Sequence, residues 1–162
     1  MLIREANPGE GPICDELLTQ LIQMESRWDE NMDETFTVCD NYEHRMTEDD
    51  TLLLVAEENG EIIGFLFGFL YPSPVHKKPL ALLDALYVRE EHRKQGCGKA
   101  LANRFLDFAQ KQGAASVELK VITQNAAALR LYESLGFGEI KKYMQCRLRH
   151  KKREAGGTMP LG

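Results

Sequence analysis

Apolar residues are grouped along the chain in two distinct rhythms. Near-continuous apolar runs fall at 52–56, 62–70 and 80–88, too dense for the alternation of a half-exposed strand and suited to strands covered on both faces. Between and around them, apolar residues recur at helical spacing. Ile13, Leu17, Leu18, Leu21, Ile22 and Met24 form one face, and Leu101, Phe105 and Phe108 form another. Asn59-Gly60, between the first two dense runs, is a strong hairpin signal. The pattern predicts a short strand at Leu2-Ile3-Arg4, a helix after Gly9–Pro12, strands over Thr51–Glu57, Glu61–Tyr71 and Leu80–Val88, and then a second long helix. Gly113 is placed to close that helix. A strand over Ser116–Ile122, a helix over Asn125–Leu135 closed by Gly136, and antiparallel strands over Phe137–Lys142 and Tyr143–Arg149 complete the prediction. This is an α/β fold: a mixed, mostly antiparallel central sheet with helices on both faces. A single domain over residues 1–149 and a polar tail over 150–162 are expected.

Composition narrows the function classes. A chain of 162 residues with 43% hydrophobic content builds one sizeable core. A net charge of −5 argues against general nucleic-acid binding, and the basic Arg147, Arg149, Lys151, Lys152 and Arg153 read as a solvated end. The run Ile62–Tyr71 is too short to cross a bilayer, and the first residues have no signal-peptide character. Cys14, Cys39, Cys97 and Cys146 lack zinc or iron–sulfur spacing. Free thiols in a cytoplasmic protein, with no metal and no membrane partner, are the expectation.

The chemistry concentrates at His92-Arg93-Lys94-Gln95-Gly96-Cys97-Gly98-Lys99. A strand, a glycine-bearing turn and a helix start together aim several backbone N–H groups at one point, where the helix dipole favours negative charge. Gly96 and Gly98 leave room for close approach, and Arg93, Lys94 and Lys99 add cationic charge. The segment reads as a pyrophosphate cradle or as a plain turn.

Three segments read together resemble the GNAT superfamily of N-acyltransferases. They are Leu80–Val88 followed by Arg93-x-x-Gly96-x-Gly98, then Val117–Ile122 leading to Asn125, and then Asn125-Ala126-Ala127-Ala128-Leu129-Arg130-Leu131-Tyr132-Glu133-Ser134-Leu135-Gly136-Phe137. The resemblance implies acetyl-CoA as co-substrate, with its pyrophosphate on the loop Arg93, Lys94, Gln95, Gly96, Cys97, Gly98 and Lys99. It implies pantetheine paired along exposed main chain at Leu86, Tyr87 and Val88, where the central strands splay after a bulge. It further implies a contact from Asn125, which also suits a helix N-cap, and Tyr132 as the acid that protonates the leaving thiolate. As a plain residue, Tyr132 is an interior aromatic of an amphipathic helix.

Acetylating an alkyl amine requires removal of a proton, because an amine with a pKa near ~10 is charged at neutral pH. Asp84, the one carboxylate in an otherwise apolar strand, is the predicted base. It reads equally as a structural aspartate paired with a backbone N–H or a basic side chain. Relatives that acetylate ribosomal N-termini often carry a glutamate where this chain has Lys120; Glu118, on the same face by period two, is the reserve base. Cys97 stands where an aliphatic residue is usual and reads as a small neutral filler, although a helix N-terminus can activate a thiol.

Residues 25–50 hold ten acidic residues against Arg27 and Arg45. Together with Trp28 as a cation–π face and Glu30, they suggest a small cationic amine acceptor, such as a polyamine or an aminoglycoside. A solvated acidic surface with Trp28 in the core is the alternative. A protein or peptide acetyltransferase and a non-catalytic acyl-CoA-binding module are the competing functions. A homodimer through the last strands is also consistent with open sheet edges.

Overall fold

The computed structural model describes residues 1–150; the tail expected over 150–162, with Lys151, Lys152 and Arg153, lies outside the described residues except for His150. Five strands form one sheet in sequence order: β1 (Leu2–Glu5), β2 (Thr51–Glu58), β3 (Glu61–Tyr71), β4 (Leu80–Val88) and β5 (Val117–Glu118). The first four pair antiparallel and β5 joins β4 in parallel. The helices are α1 (Gly11–Glu25), α2 (Tyr42–Arg45), α3 (Cys97–Lys111) and α4 (Ala126–Ser134). No helix among the described residues is long and apolar enough to cross a membrane.

The dense apolar runs are covered on both faces, as their composition predicts. One core places Leu54, Leu66, Leu83 and Val88 against Leu101 and Phe105 of α3. The other places Val55, Phe65, Phe67 and Ala85 against Cys14 and Leu17 of α1 and Tyr42 of α2. Gly68 of β3 is needed for this packing, because a Cβ there would lie 2.4 Å from the Phe105 ring. Asn59 and Gly60 turn the β2–β3 hairpin with φ of 52° and 79°, the paired positive values of a tight hairpin.

Much of the acidic character near α1 is structural. The Glu43 carboxylate accepts from the amides of Gly9 and Gly11 at 2.8 Å each and so closes the start of α1. Asp15 of α1 accepts in return from the amides of Asn41 and Tyr42 at the start of α2. Each helix thereby satisfies the other's orphan donors.

Two predictions about the end of the sheet are corrected. The strand expected over Ser116–Ile122 pairs only through Val117 and Glu118. The strands expected over Phe137–Lys142 and Tyr143–Arg149 are absent; these residues are irregular and largely exposed. Apolar strand-like composition gives a strand only where a partner ladder meets it, and in this chain the segment turns off the end of α4 at Gly136, whose φ is 93°, and pairs with no strand.

Candidate active site

The pairing of β3 with β4 shifts register between Phe67 and Gly68, whose partners are Ala85 and Leu83. Asp84 is the extra residue of this bulge. The shift exchanges the faces of β4: Leu83 packs on the α3 side, whereas Ala85, two residues on, packs on the α1 side. The bulge turns Asp84 toward α2, where the Arg45 guanidinium lies 3.7 Å from its carboxylate. Arg45 in turn stacks over Phe67 at 4.3 Å and sits 5.8 Å from the Phe69 ring centroid. Asp84 is therefore not the buried carboxylate expected from its apolar strand; its side chain is 38% exposed and ion-paired. Re-aiming a side chain out of a sheet is a common use of a bulge.

Past the bulge, β4 loses its neighbour. Only Ala81 and Leu82 pair with β5, while β4 continues to Val88. The strand edge from Leu83 to Val88 thus carries main-chain groups with no strand on that side, the splay that the sequence resemblance implied. Leu86, Tyr87 and Val88 lie on this open edge.

The loop after β4 leads straight to α3. Lys94 and Gly96 both have positive φ, 63° and 81°, and Gly96 caps the helix in the left-handed conformation with no side-chain cap. The first intrahelical bond recorded is Ala100 N–H to Gly96 O at 3.0 Å. The amides of Cys97, Gly98 and Lys99 are thus the free donors of this helix start. A Cβ on Gly96 would meet nothing within 4 Å, whereas one on Gly98 would press on Leu131 of α4 at 3.3 Å. Arg93 folds inward. Its Nε donates to Val88 O at 2.8 Å, and its guanidinium lies 5.1 Å from the Tyr87 ring centroid. It is tied to the strand end, with Lys94, Gln95 and Lys99 left in the loop and the first turn. A cleft of about 550 Å³ opens beside Arg93 and Tyr87 and reaches Gln20, Met24 and Arg27 of the α1 end.

Cys97 is buried, and burial pushes its thiol up to about 11. That is the opposite of helix-terminus activation, and it supports the filler reading. Asn125 caps α4, with Oδ1 accepting from the Ala128 amide at 3.1 Å. Tyr132 of α4 packs against the α3-side core and meets Phe137 edge-on at 5.7 Å. Burial, and secondarily the negative charge of Glu25, push its phenol up to about 12. Glu25, at the end of α1, is itself shifted upward by burial. In the sequence Glu25 falls within the acidic stretch, and its i+4 relation to Leu21 on the apolar helix face is the one signal of its burial.

The residues expected to receive the acceptor are engaged by the chain itself. Arg27 stacks on Trp28 at 4.2 Å, and Arg147 pairs with Glu30 at 2.9 Å. Trp28 is half-buried and Glu30 exposed. Glu118 pairs in register with Leu82, whose β3 partner is Phe69, so it lies on the same sheet face as the Arg45–Asp84 pair. Among the described residues no cluster of His, Cys, Asp and Glu has the geometry to hold a metal ion.

The chain is similar in sequence and in fold to known proteins. N-acetyltransferase 8 of Homo sapiens is 31% identical over 121 residues, which are 74% of this chain and 53% of that protein. The uncharacterized N-acetyltransferase YhfO of Bacillus subtilis (strain 168) is 37% identical over 97 residues, 59% of this chain and 64% of that one. The chain spans about half the length of the first of these relatives. Among solved structures, a mutant of the BH1408 protein from Bacillus halodurans superposes with a TM-score of 0.82 at 21% identity, covering 91% of this chain and 99% of that one. An aminoglycoside acetyltransferase, meta-AAC0020 from an uncultured soil metagenomic sample, superposes with a TM-score of 0.68 at 19% identity, covering 91% and 96%. Residues 16–137 match the acetyltransferase (GNAT) family, and the chain belongs to it.

Proposed function

We propose that the chain is an acetyl-CoA-dependent N-acetyltransferase acting on a small, cationic primary amine. The observation that carries this reading is the open β4 edge from Leu83 to Val88, followed along the chain by the uncapped α3 start, with Tyr132 packed on the same core as Leu86 and Val88. The α3 amides and Lys99 take the pyrophosphate, the β4 edge pairs with pantetheine, and Asn125 adds a contact from the α4 start. The thioester then lies between the two helices, where the strands part.

Asp84, through a water, removes a proton from the acceptor ammonium, and the neutral nitrogen attacks the acetyl carbonyl carbon. The C–S bond breaks, the departing thiolate takes the phenolic proton of Tyr132, and the nitrogen, left cationic by the attack, loses its second proton to solvent. A phenol held near 12 is fully protonated at neutral pH and so is loaded for this step. The products are the N-acetylated amine and CoA thiol. Solvent restores the Tyr132 proton and removes the one on Asp84.

Support for a cationic acceptor comes from the chain's own arginines. Arg45 at Asp84, Arg27 at Trp28 and Arg147 at Glu30 mark three places that accommodate a cation. Partly exposed pairs of this kind are worth only about 0–1 kcal/mol, so an ammonium can exchange with them. The nearby Asp29, Asp33 and Glu34 line a second cleft with Glu30. The test is acetyl-CoA-dependent thiol release, quenched before the thiol-reactive dye reaches the protein's cysteines. Acceptors are spermidine, an aminoglycoside, free amino acids, and peptides offering a lysine or a free N-terminus. Release with the small cationic amines supports the reading. Release only with peptides would replace the acceptor class, and binding of acetyl-CoA without release under any acceptor would favour a binding module.

A further inference from the structure

A buried hydroxyl beside the Arg45–Asp84 pair is left unused. Tyr42 and Arg45 stand three residues apart in α2, on one helical face. Phe67 of β3 meets both: its ring centroid lies 5.0 Å from that of Tyr42 and 4.3 Å from the Arg45 guanidinium. Phe67 pairs with Ala85, the residue after Asp84, and Ala85 packs in the same buried cluster as Tyr42. Tyr42, Arg45 and Asp84 therefore gather around one aromatic ring. The Tyr42 ring is held firmly there. It is fully buried, its centroid also lies 5.4 Å from that of Phe65, and the Tyr42 amide donates to Asp15 Oδ1 at 3.0 Å. Its hydroxyl, by contrast, is buried with no hydrogen-bond partner among the described residues. Burial, and next the charge of Asp84, raise this phenol above the ordinary tyrosine range, against the opposing charge of Arg45. Tyr42 thus keeps a proton to donate at any working pH.

An unmade hydrogen bond in the core costs stability that a phenylalanine at the same place would not lose. Asp84 has a matching lack. Its Oδ2 lies 3.7 Å from Arg45, longer than a hydrogen bond, and the side chain is exposed enough to turn. We propose that Tyr42 is a positioning residue for acetyl transfer: when the acceptor ammonium takes the place of Arg45, the Tyr42 hydroxyl donates to the Asp84 carboxylate and holds it in one orientation. This rests on the reading of Asp84 as the base. A carboxylate with one oxygen fixed by a rigid donor presents the other to the amine and its water. The bond removes the freedom that a half-exposed side chain otherwise brings to the reaction. The hydroxyl that weakens the unloaded protein strengthens the acceptor complex.

The test uses the full chain and reads the bond separately from turnover. Arg45→Met keeps an unbranched stem for the Phe67 ring and removes the cation, as an acceptor would by displacing it; Arg45→Ala serves if that variant does not fold. In the Arg45→Met protein, Tyr42→Phe should raise the urea unfolding constant at least about fivefold, and less than about twofold when Asp84→Ala is also present. With Arg45 intact, Tyr42→Phe should leave the melting temperature level or raise it, since no bond is lost. With acetyl-CoA and spermidine, Tyr42→Phe should lower kcat about tenfold with both KM values within about twofold. It should have no further effect in Asp84→Asn. Equal effects of Tyr42→Phe on unfolding with and without the Asp84 carboxylate would overturn the proposal, whatever the kinetics. So would an unchanged kcat in Tyr42→Phe where Asp84→Asn slows the enzyme. An Asp84→Asn protein that acetylates spermidine at the native rate would instead remove Asp84 as the base, and the positioning role with it, even where the bond is found. If spermidine is not acetylated, the unfolding cycle decides alone.

Discussion

Arg45 is held between Asp84 and Phe67, 3.7 Å from the carboxylate and 4.3 Å from the ring centroid. The guanidinium therefore occupies the face of Asp84 that an incoming ammonium would use. An arginine on an aromatic face with one carboxylate partner is a compact cation site. It is formed by a β-bulge, a four-residue helix and a β3 aromatic, three elements far apart in the sequence.

If Asp84 is the base, Asp84→Asn lowers kcat by about 100-fold near neutral pH. The loss shrinks as pH approaches the acceptor amine's own pKa, because the amine then arrives neutral. A pH–rate profile of both proteins reads this directly. An unchanged profile assigns Asp84 to structure alone.

Removing the resident cation should help a cationic acceptor. Arg45→Ala is expected to lower KM for such an amine up to about fivefold, the worth of a partly exposed pair, with kcat changed little. A raised KM would show instead that Arg45 grips the acceptor, as it would an amine that also bears a carboxylate.

Tyr132→Phe is expected to lower kcat by about 100-fold while the acetyl-CoA dissociation constant holds. In the unaltered enzyme the rate should not titrate near pH ~10, where an ordinary tyrosine ionises, because burial and Glu25 hold this phenol near 12. Glu25→Gln removes a negative charge, so the phenol should ionise at lower pH in an ultraviolet titration. An unmoved transition would show that the two groups do not sense each other.

The loop makes a separable prediction. Gly96→Ala places a residue with a Cβ at φ 81°, at a cost of about 1–2 kcal/mol. The added methyl points into open space in the loop proposed to hold the pyrophosphate, so acetyl-CoA affinity should fall by more than global stability does. Gly68→Ala has the opposite profile. Its Cβ meets Phe105, so stability falls by about 1–3 kcal/mol, with little effect on the affinity of protein that remains folded. Titration and thermal unfolding of both variants separate the two roles.

Local signals in the sequence were reliable wherever the structure obeys them locally. Asn59-Gly60 gives the hairpin, and Gly96 with Gly98 gives the turn into α3, since backbone sterics act at these positions whatever surrounds them. The bulge at Asp84 was not legible at its position, because it depends on how Phe67 and Gly68 register against β4. Nor were the pairings of Arg45 with Asp84 and of Arg147 with Glu30, which join positions far apart in the sequence and cover groups reserved for an acceptor. The strands read into Phe137–Arg149 failed for a related reason: their composition suits a sheet, but pairing needs an edge that this part of the chain does not reach.

Several buried groups make stability sensitive to alkali. Burial pushes Cys97 up to about 11 and Cys14 up to about 12; it does the same to Tyr132, also to about 12, and it raises Tyr42. In the unfolded chain cysteine ionises near ~8.5 and tyrosine near ~10. Between those values and the folded ones the unfolded chain has released protons that the folded protein still holds. Stability must therefore fall as pH rises through this window, and is undiminished by these groups below it. The melting temperature should be level between neutrality and pH ~8 and should decline steadily toward pH ~11. Cys14→Ala should flatten the first part of that decline, because it removes the most strongly displaced thiol. A melting temperature that stays level to pH ~11 would mean that these thiols and phenols are not shielded from water.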